Sequence, residues 1–299
     1  MIIRSDNKIG LVLSGGGVRV IEYQLGAIKA LMDNGIVPDF IYACSGGGLT
    51  GAVYFSGKDF MDVMKTLQPT RFLKSNNYMS VLFGAPVFKI DPVIDAMNEI
   101  MGDSVYENLV VNFTDVKTHD TYYAKGSKST VIASMSIPKI FPIKKLTGTV
   151  YQNIVPYEYD KPARCVQKLV FIKDREVVDG GVYNIIPFPD YETIKKAKHI
   201  FVIHPPASKS PEEMESDGHL KQCYNWITEI EERGYRQSLP IYGDMENVSI
   251  IRMAPINTPF FDWSKNFELY NFAYENMSKI IKTDSTIRSL VKWKSLFLS

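Results

Sequence analysis

The chain has 299 residues, of which 45% are apolar and 22% charged, the balance of a globular protein with a substantial core. Its formal net charge of +1 gives no overall attraction to nucleic acid, and no stretch approaches the roughly 20 apolar residues of a membrane-spanning helix. Its three cysteines are widely spaced, which indicates neither a disulfide framework nor a metal site, and charges interrupt the N-terminus too often for a signal peptide. We therefore expect a cytoplasmic protein without a bound metal.

The first 56 residues predict two strand–turn–helix units in succession. An apolar run at 8–13 ends at a glycine-rich turn, and the segment 18–34 then carries apolar residues at helical spacing. Gly35 follows at the position typical of a helix end. A second apolar run, DFIYA, leads into another glycine-rich turn, and a helix is expected from Gly46. Two such units indicate a parallel sheet with right-handed crossovers.

The rest of the chain continues this α/β pattern. We expect mostly helix over 58–110, strands at LVVNFTDV, DTYYAKG, STVIASM, HIFVIHPP and NVSIIRMAPI, a hairpin or loop over 144–178, and helices over 210–233 and 261–297. The predicted fold class is α/β, a three-layer α/β/α sandwich with a largely parallel central sheet. We expect a single domain over 1–299, with its main motifs in 8–205 and a C-terminal strand and helices in 206–299.

The first glycine-rich turn, SGGGVR at 14–19, places backbone N–H groups at a helix start, where they attract negative charge. A dinucleotide-binding turn would need a third glycine at position 20, where the chain has valine. A P-loop would need a Gly-Lys-Ser/Thr triplet, which this turn lacks. A nucleotide site is therefore the weaker interpretation, and a tight turn without a ligand is the simplest one.

The second turn, ACSGGG, presents Ser45 between a strand and a helix. A nucleophilic serine in such a turn needs small residues two positions before and after it, and these are Ala43 and Gly47. Further along, the segment VVDGGVYNIIP delivers Asp179 from a strand into an open turn. Either feature alone is more often structural than catalytic.

Taken together, these segments resemble the patatin-like phospholipase family. The resemblance rests on SGGGVR, YQLGAIKALMDNGIVPD, ACSGGGLTGAVYFSG, ASMSIPKIFP and DGGVYNIIP, which occur in the family's order between about residues 8 and 205. It implies a patatin-like sandwich that hydrolyses carboxylic esters of phospholipids or other acyl lipids, with no metal and no cofactor. It also implies transient contact with a membrane surface and no nucleic-acid partner.

The same resemblance implies roles for individual residues. Ser45 corresponds to the nucleophile of a catalytic dyad, which forms an acyl-serine intermediate, and Asp179 corresponds to the base that activates it. The expected oxyanion hole consists of backbone N–H groups of Gly15, Gly16, Gly17 and Val18, and the expected supporting residues are Arg19, Gly47 and Gly180. The chain departs from the family's G-x-S-x-G turn at Ala43, which stands in place of the first glycine.

Three alternatives stay open at the level of sequence. His204, at the end of HIFVIH, would complete a Ser–Asp–His triad in the order of α/β-hydrolases. Cys44 is a second possible nucleophile, although we expect a small buried residue there, because Cys44 points away if Ser45 points outward. The third alternative is a lipid- or partner-binding protein that keeps the fold without efficient turnover, which Ala43 favours.

Two further segments are candidates for membrane contact. The loop over 68–90 carries a set of large apolar residues, namely Met79, Leu82, Phe83, Val87 and Phe88. The C-terminal stretch RSLVKWKSLFLS mixes lysines with apolar residues, as surface-bound segments do. Packing against the core would explain the apolar residues of both segments as well.

Overall fold

The structure is a computed structural model that describes residues 3–67, 86–154, 166–205, 229–230, 233, 236, 242, 245–253 and 266–290. Several predicted features lie outside these ranges: most of the helix at 210–233, the apolar residues Met79, Leu82 and Phe83, and the stretch after residue 290. Within the described ranges, no helix combines the length and the apolar character that crossing a membrane requires.

Strands and helices alternate along the described chain. The strands are β1 (Ile9–Leu13), β2 (Phe40–Cys44), β3 (Tyr106–Asp115), β4 (Thr121–Gly126), β5 (Lys144–Ile154), β6 (Val166–Asp179), β7 (His199–Ile203) and β8 (Val248–Ile251). The helices are α1 (Val18–Asp33), α2 (Gly46–Ser56), α3 (Phe60–Thr66), α4 (Asp91–Met101), α5 (Lys128–Ser134), α6 (Gly181–Asn184), α7 (Tyr191–Lys196), α8 (Asn266–Thr283) and α9 (Ser285–Ser289). The two strand–helix units predicted at the start of the chain are present.

The described strands form one sheet in the order β4-β5-β6-β3-β2-β1-β7-β8. Five neighbouring strands, β3, β2, β1, β7 and β8, run parallel to one another. The strands β4, β5 and β6 pair antiparallel with their neighbours. Because β4 also pairs with β3, the four strands from β3 to β6 form a closed ring of pairings.

The prediction of a largely parallel sheet is therefore wrong, since the sheet is mixed. A parallel pair needs a long crossover, and α1 supplies one between β1 and β2. Only residues 116–120 separate β3 from β4, which is enough for a tight antiparallel turn but not for a crossover. The segment predicted as a hairpin or loop over 144–178 forms the antiparallel pair β5 and β6.

The segment STVIASM was expected to be a strand, but it lies in helix α5. Its β-branched residues favour strands. The helix nevertheless begins with a reciprocal capping box, in which Ser127 and Thr130 each accept a hydrogen bond from the other's backbone N–H. Val131 and Ile132 of this helix are buried in the core. The cap and the burial together outweigh the intrinsic preference for a strand.

Alternate residues of the central strands face two separate cores. Leu11 and Leu13 of β1 belong to the core that α1, α2, α4 and α8 cover. Val12, which lies between them, belongs to the core on the opposite face, together with Ile194 of α7 and Tyr242. Helices therefore flank the sheet on both faces.

Helices α1 and α8 pack against each other on the first of these faces. At their contact, a Cβ atom on Gly26 would lie 2.2 Å from the backbone carbonyl oxygen of Tyr270. Because the obstacle is backbone rather than a flexible side chain, the helices would have to move apart to accommodate it. Glycine at position 26 thus sets how closely the two helices approach.

We expect Gly26→Ala to lower the free energy of unfolding by about 1–3 kcal/mol, the usual cost of overpacking a close contact. Met32→Ala is the control, because Met32 lies on the same helix and is 38% exposed. The control should stay within about 0.5 kcal/mol of the wild type. Urea unfolding of the three proteins measures both values, and equal stability of Gly26→Ala and the wild type would contradict the packing described.

Candidate active site

The two glycine-rich turns meet at one edge of the sheet. β1 and β2 are parallel and in register, with Leu13 at the end of β1 paired with Ala43 of β2. The turn at 14–17 and the turn at Ser45 follow these strand ends directly. Ligand sites of parallel α/β sheets lie at this carboxyl edge. The fold thus places side by side the two turns that the sequence singled out.

Ser45 occupies a strained turn between β2 and α2. Its φ of 51° and ψ of −122° lie outside the regions that residues with side chains favour, at a typical cost of about 1–3 kcal/mol. Its N–H donates a 2.8 Å hydrogen bond to Oγ of Ser134, which is fully buried at the end of α5. Ala43, which stands in place of the usual glycine, is also fully buried. Such a sharp strand-to-helix turn is typical of a nucleophile elbow.

Glycine is required where the two turns touch. A Cβ atom on Gly46 would lie 2.4 Å from the carbonyl oxygen of Gly17. A Cβ atom on Gly47 would lie 2.7 Å from the carbonyl oxygens of Leu13 and Ser14. These distances are shorter than any tolerated contact, so the glycines allow the serine turn to lie directly against the first turn.

Asp179 approaches Ser45 from the antiparallel part of the sheet. β2 ends at Cys44, which pairs with Asn112 of β3, and the next residue of β3, Phe113, pairs with Asp179. β6 therefore continues alongside β3 from the point where β2 stops. As a result, the residue that follows β2 and the last residue of β6 come together, although they are far apart in the sequence.

The carboxyl group of Asp179 is buried, with only 3% of the residue exposed. Its Oδ1 accepts a 2.6 Å hydrogen bond from the N–H of Gly181 and a long contact of 3.9 Å from Sγ of Cys44. Its Oδ2 is buried and accepts no hydrogen bond of ordinary geometry from the described residues. The uncharged surroundings of this group favour its protonated form.

Burial raises the pKa of Asp179 from 3.8 to about 7. The hydroxyl of Ser45, the N–H of Gly181 and the thiol of Cys44 partly offset this rise. The Ser45 hydroxyl thus lies close enough to act on the carboxyl group, although the two do not reach the geometry of a formed hydrogen bond. In active sites without substrate, catalytic hydrogen bonds are often poorly aligned and tighten once substrate binds, so this geometry does not exclude Asp179 as a base.

The short segment from Ser134 to Ser136 forms hydrogen bonds with the backbones of both Ser45 and Asp179. Besides the bond from Ser45 to Oγ of Ser134, the N–H of Asp179 donates a 3.0 Å hydrogen bond to the carbonyl oxygen of Ser136. Ser136 lies just after the end of α5, and its hydroxyl donates to the carbonyl oxygen of Ile132 in that helix. Both serines lie in the motif ASMSIPKIFP, but no local pattern indicates a role for either of them, because the two contacts join segments that are distant in the chain.

The first turn offers some of the expected backbone donors. The N–H of Gly15 donates a 2.8 Å hydrogen bond to the carbonyl oxygen of Ile185, so it is already used within the fold. Gly16 and Gly17 have positive φ values of 144° and 70°, which suit glycine, and their N–H groups donate to no other described residue. Helix α1 begins at Val18, so its positive end points toward this turn.

Arg19 and Gly180, the remaining residues that were expected to support the site, lie beside these turns. Arg19 is buried in the first turn of α1. Gly180 follows Asp179, and a Cβ atom there would lie 2.5 Å from the side chain of Asn112. Glycine at position 180 therefore keeps the end of β6 close to β3.

His204 lies in an environment that keeps it uncharged. Burial lowers the pKa of His204 to about 3, and the positive charges of Arg252 and Arg19 lower it further. The described groups that act on the carboxyl group of Asp179 do not include His204. A Ser–Asp–His triad is therefore not favoured by these contacts.

Cys44 is fully buried beneath the serine turn, as expected for the residue before Ser45. Burial and the neighbouring Asp179 carboxyl group raise the pKa of the Cys44 thiol well above its ordinary value. A nucleophilic cysteine needs a lowered pKa, because the thiolate is the reactive form. Cys44 is therefore a buried contact of Asp179 rather than a competing nucleophile.

A model of the patatin-like phospholipase family matches residues 11–190, which is more than half of the chain. The chain belongs to this family. The matched range includes both glycine-rich turns, the segment from Ser134 to Ser136 and the turn at Asp179. Resemblance to the family, inferred from the motifs alone, is thus confirmed over the greater part of the chain.

Individual relatives are similar over shorter ranges. An NTE family protein of Mycobacterium tuberculosis is 24% identical over 191 residues, which is 61% of this chain and 45% of that protein. Lysophospholipase NTE1 of Yarrowia lipolytica is 44% identical over 61 residues, which is 20% of this chain and 4% of that protein. The chain therefore spans less than half the length of these relatives.

Two solved structures match the chain at low similarity. VipD from Legionella pneumophila has a TM-score of 0.47 and 11% identity, over 92% of this chain and 67% of that one. Human GIVD cytosolic phospholipase A2 has a TM-score of 0.28 and 13% identity, over 64% of this chain and 27% of that one.

The buried carboxyl group makes stability depend on pH. Because the pKa of Asp179 is about 7 in the folded chain and near 3.8 when exposed, the folded chain binds more protons between these values. The free energy of unfolding should therefore fall as pH rises from about 4 to about 7, by up to about 4 kcal/mol. Asp179→Asn removes this titration, so it should stabilise the fold by about 2–4 kcal/mol near pH 8 and by much less near pH 4.

Urea unfolding at these two pH values tests this expectation. Ser45→Ala is the control, because it alters the same site but leaves the Asp179 carboxyl group in place. The control should keep the loss of stability with rising pH. If Asp179→Asn shows the same pH dependence as the wild type, the carboxyl group does not titrate as described.

Proposed function

We propose that the chain is a lipid acyl hydrolase that cleaves carboxylic ester bonds through an acyl-serine intermediate, with Ser45 as nucleophile and Asp179 as base. The observation that carries this proposal is the meeting of the strained Ser45 turn with a buried carboxyl group whose pKa is about 7. Membership of the patatin-like phospholipase family supports a lipid ester as substrate. The proposal requires neither a metal nor a cofactor.

The first half of the reaction transfers the acyl group to Ser45. The Asp179 carboxylate accepts the hydroxyl proton while Oγ of Ser45 forms a bond to the ester carbonyl carbon. The carbonyl electrons move onto oxygen, which becomes an oxyanion. When this intermediate collapses, the bond to the leaving oxygen breaks, and the proton on Asp179 passes to the departing alcohol.

The second half regenerates the enzyme. A water molecule loses a proton to Asp179 while its oxygen bonds to the acyl carbon. Collapse of this second oxyanion breaks the bond to Oγ of Ser45, which takes the proton back. The products are a carboxylic acid and the free serine, so neither an oxidant nor any other co-reactant is needed.

A carboxylate is a weak base toward a hydroxyl group, so its environment matters. A pKa of about 7 makes Asp179 a stronger base than an exposed aspartate, and close to the optimum for proton transfer near neutral pH. The same pKa allows the protonated group to act as the acid that releases the leaving alcohol. Burial therefore suits both halves of the proposed reaction.

Backbone donors of the first turn would stabilise the oxyanion. We assign this role to the N–H groups of Gly16 and Gly17, supported by the positive end of α1 that begins at Val18. The N–H of Gly15 is occupied by Ile185, so in this arrangement it supports the turn instead of binding the oxyanion. A single donor of this type contributes about 3–4 kcal/mol to transition-state stabilisation in acyl-transfer enzymes.

Replacement of either dyad residue should abolish turnover. Ser45→Ala and Asp179→Asn should each lower kcat/KM for a short-chain nitrophenyl ester by about a thousandfold or more, because each removes a bond-forming or proton-accepting group. His204→Gln is the matched control for the triad alternative and should stay within about threefold of the wild type. A fluorophosphonate probe should label the wild type at Ser45 and leave Ser45→Ala unlabelled.

Other outcomes would favour the alternatives. A loss in His204→Gln as deep as that in Ser45→Ala would support a triad. A wild-type protein that binds lipid but neither hydrolyses esters nor reacts with the probe would support a binding protein. Full activity in both Ser45→Ala and Asp179→Asn would contradict the dyad.

Ser134 should act as a positioning residue for the nucleophile. Ser134→Ala leaves the buried N–H of Ser45 without its acceptor, so we expect kcat to fall by about tenfold with little change in KM. Ser134→Thr keeps a hydroxyl and should recover most of this loss. Ser136→Ala is the matched control, because its hydroxyl donates to the carbonyl oxygen of Ile132 within its own segment, whereas its carbonyl still accepts from the N–H of Asp179. Equal kcat in Ser134→Ala and the wild type would exclude this role.

A further inference from the structure

The outer half of the β5–β6 hairpin, residues 147–154 and 166–173, exposes large apolar side chains. Val166, Leu169 and Phe171 of β6 are 55%, 56% and 69% exposed. Leu169 and Phe171 lie on the same face of the strand, because alternate residues of a strand share a face. Exposed apolar side chains grouped on one element are typical of an interaction surface.

The charges of this outer half all have the same sign. Its described residues include Lys168 and Lys173 and no aspartate or glutamate. Both lysines are exposed, and neither forms an ion pair with a described residue. They lie along β6 on either side of Leu169 and Phe171, and Lys168, which directly precedes Leu169, faces the opposite side of the strand.

The inner half of the hairpin is different, because its acidic groups have partners. Glu176 forms an ion pair with Lys145, and Asp174 accepts a hydrogen bond from Thr147. Arg175 pairs with the buried Asp115. Among the described residues, the inner half of the hairpin therefore carries both signs of charge, whereas the outer half carries positive charge alone.

We propose that this outer half docks onto the surface of an anionic phospholipid membrane. Apolar side chains would enter the boundary between head groups and acyl chains, while the lysines attract the negative lipid head groups. A second copy of this chain is a less suitable partner, because a symmetric contact would bring the same lysines together. The proposal rests on the proposed function, since a lipid hydrolase must meet its substrate at such a surface.

The hairpin would act as an anchor and not as part of the reacting site. Phe171 and Asp179 belong to the same strand, but about 26 Å separate them at roughly 3.3 Å per residue. Docking would therefore raise the local concentration of lipid without changing the geometry at Ser45. Loss of docking should reduce hydrolysis of vesicle lipid but leave hydrolysis of a soluble ester unchanged.

The test is vesicle flotation of the purified full chain. The vesicles contain either phosphatidylcholine alone or phosphatidylcholine with one third phosphatidylserine. The wild type should float mainly with the anionic vesicles, and less so at high salt. Two double variants test the two parts of the surface: one is Leu169→Ser with Phe171→Ser, and the other is Lys168→Glu with Lys173→Glu. Each should lower the apparent binding constant for anionic vesicles by about tenfold.

Matched controls test whether position matters. Val37→Ser removes an apolar side chain that is also 55% exposed but lies outside the hairpin, between α1 and β2. Lys195→Glu reverses an exposed charge on α7. Both controls should float like the wild type. All variants should keep the wild-type melting temperature and the wild-type turnover of a soluble short-chain ester.

The outcomes separate this inference from the proposed function. If the wild type floats through the hairpin but hydrolyses no ester, the docking surface stands and the enzymatic proposal fails. If the protein is active but both double variants float like the wild type, the docking inference is overturned. Sedimentation that shows a wild-type dimer, which Leu169→Ser with Phe171→Ser converts to a monomer, would also overturn it.

Discussion

The buried carboxyl group of Asp179 is the constraint around which the rest of the candidate site is arranged. Its surroundings raise its pKa to about 7, so the fold gains nothing from its charge. Backbone contacts hold it instead: the pairing of β6 with β3 and the bond from its N–H to Ser136. Neither contact depends on the state of the carboxyl group. A residue that takes up and returns a proton in the proposed reaction can therefore do so without losing its position.

The sequence predicted those features of the site that depend on short stretches of chain. The turns around Gly17 and Ser45 follow apolar strands and precede helices, and their small residues are recognisable from spacing alone. The buried position of Cys44 follows from the alternation of side chains once Ser45 is placed. The order of the motifs was enough to indicate the family. Local geometry determines all of these features, so local patterns were sufficient.

Features that depend on distant segments were missed or predicted wrongly. STVIASM has the composition of a strand, and only the capping box from Ser127 to Thr130 and the burial of its apolar face make it a helix. The direction of β4, β5 and β6 depends on which strands pair, which periodicity does not reveal. The contacts of Ser134 with Ser45, and of Gly15 with Ile185, join residues far apart in the chain.

The mixed sheet explains how one site can draw on both halves of the chain. The parallel part presents Ser45 at a strand end, where a helix begins. The antiparallel part enters beside β3 after β2 has stopped, so Asp179 occupies space that a wholly parallel sheet would have filled with another strand. The same strand then extends away from the site as the exposed β5–β6 hairpin. An extension at the far end of β6 can therefore vary its surface without disturbing the carboxyl group, because the contacts with Phe113 and Ser136 fix the near end.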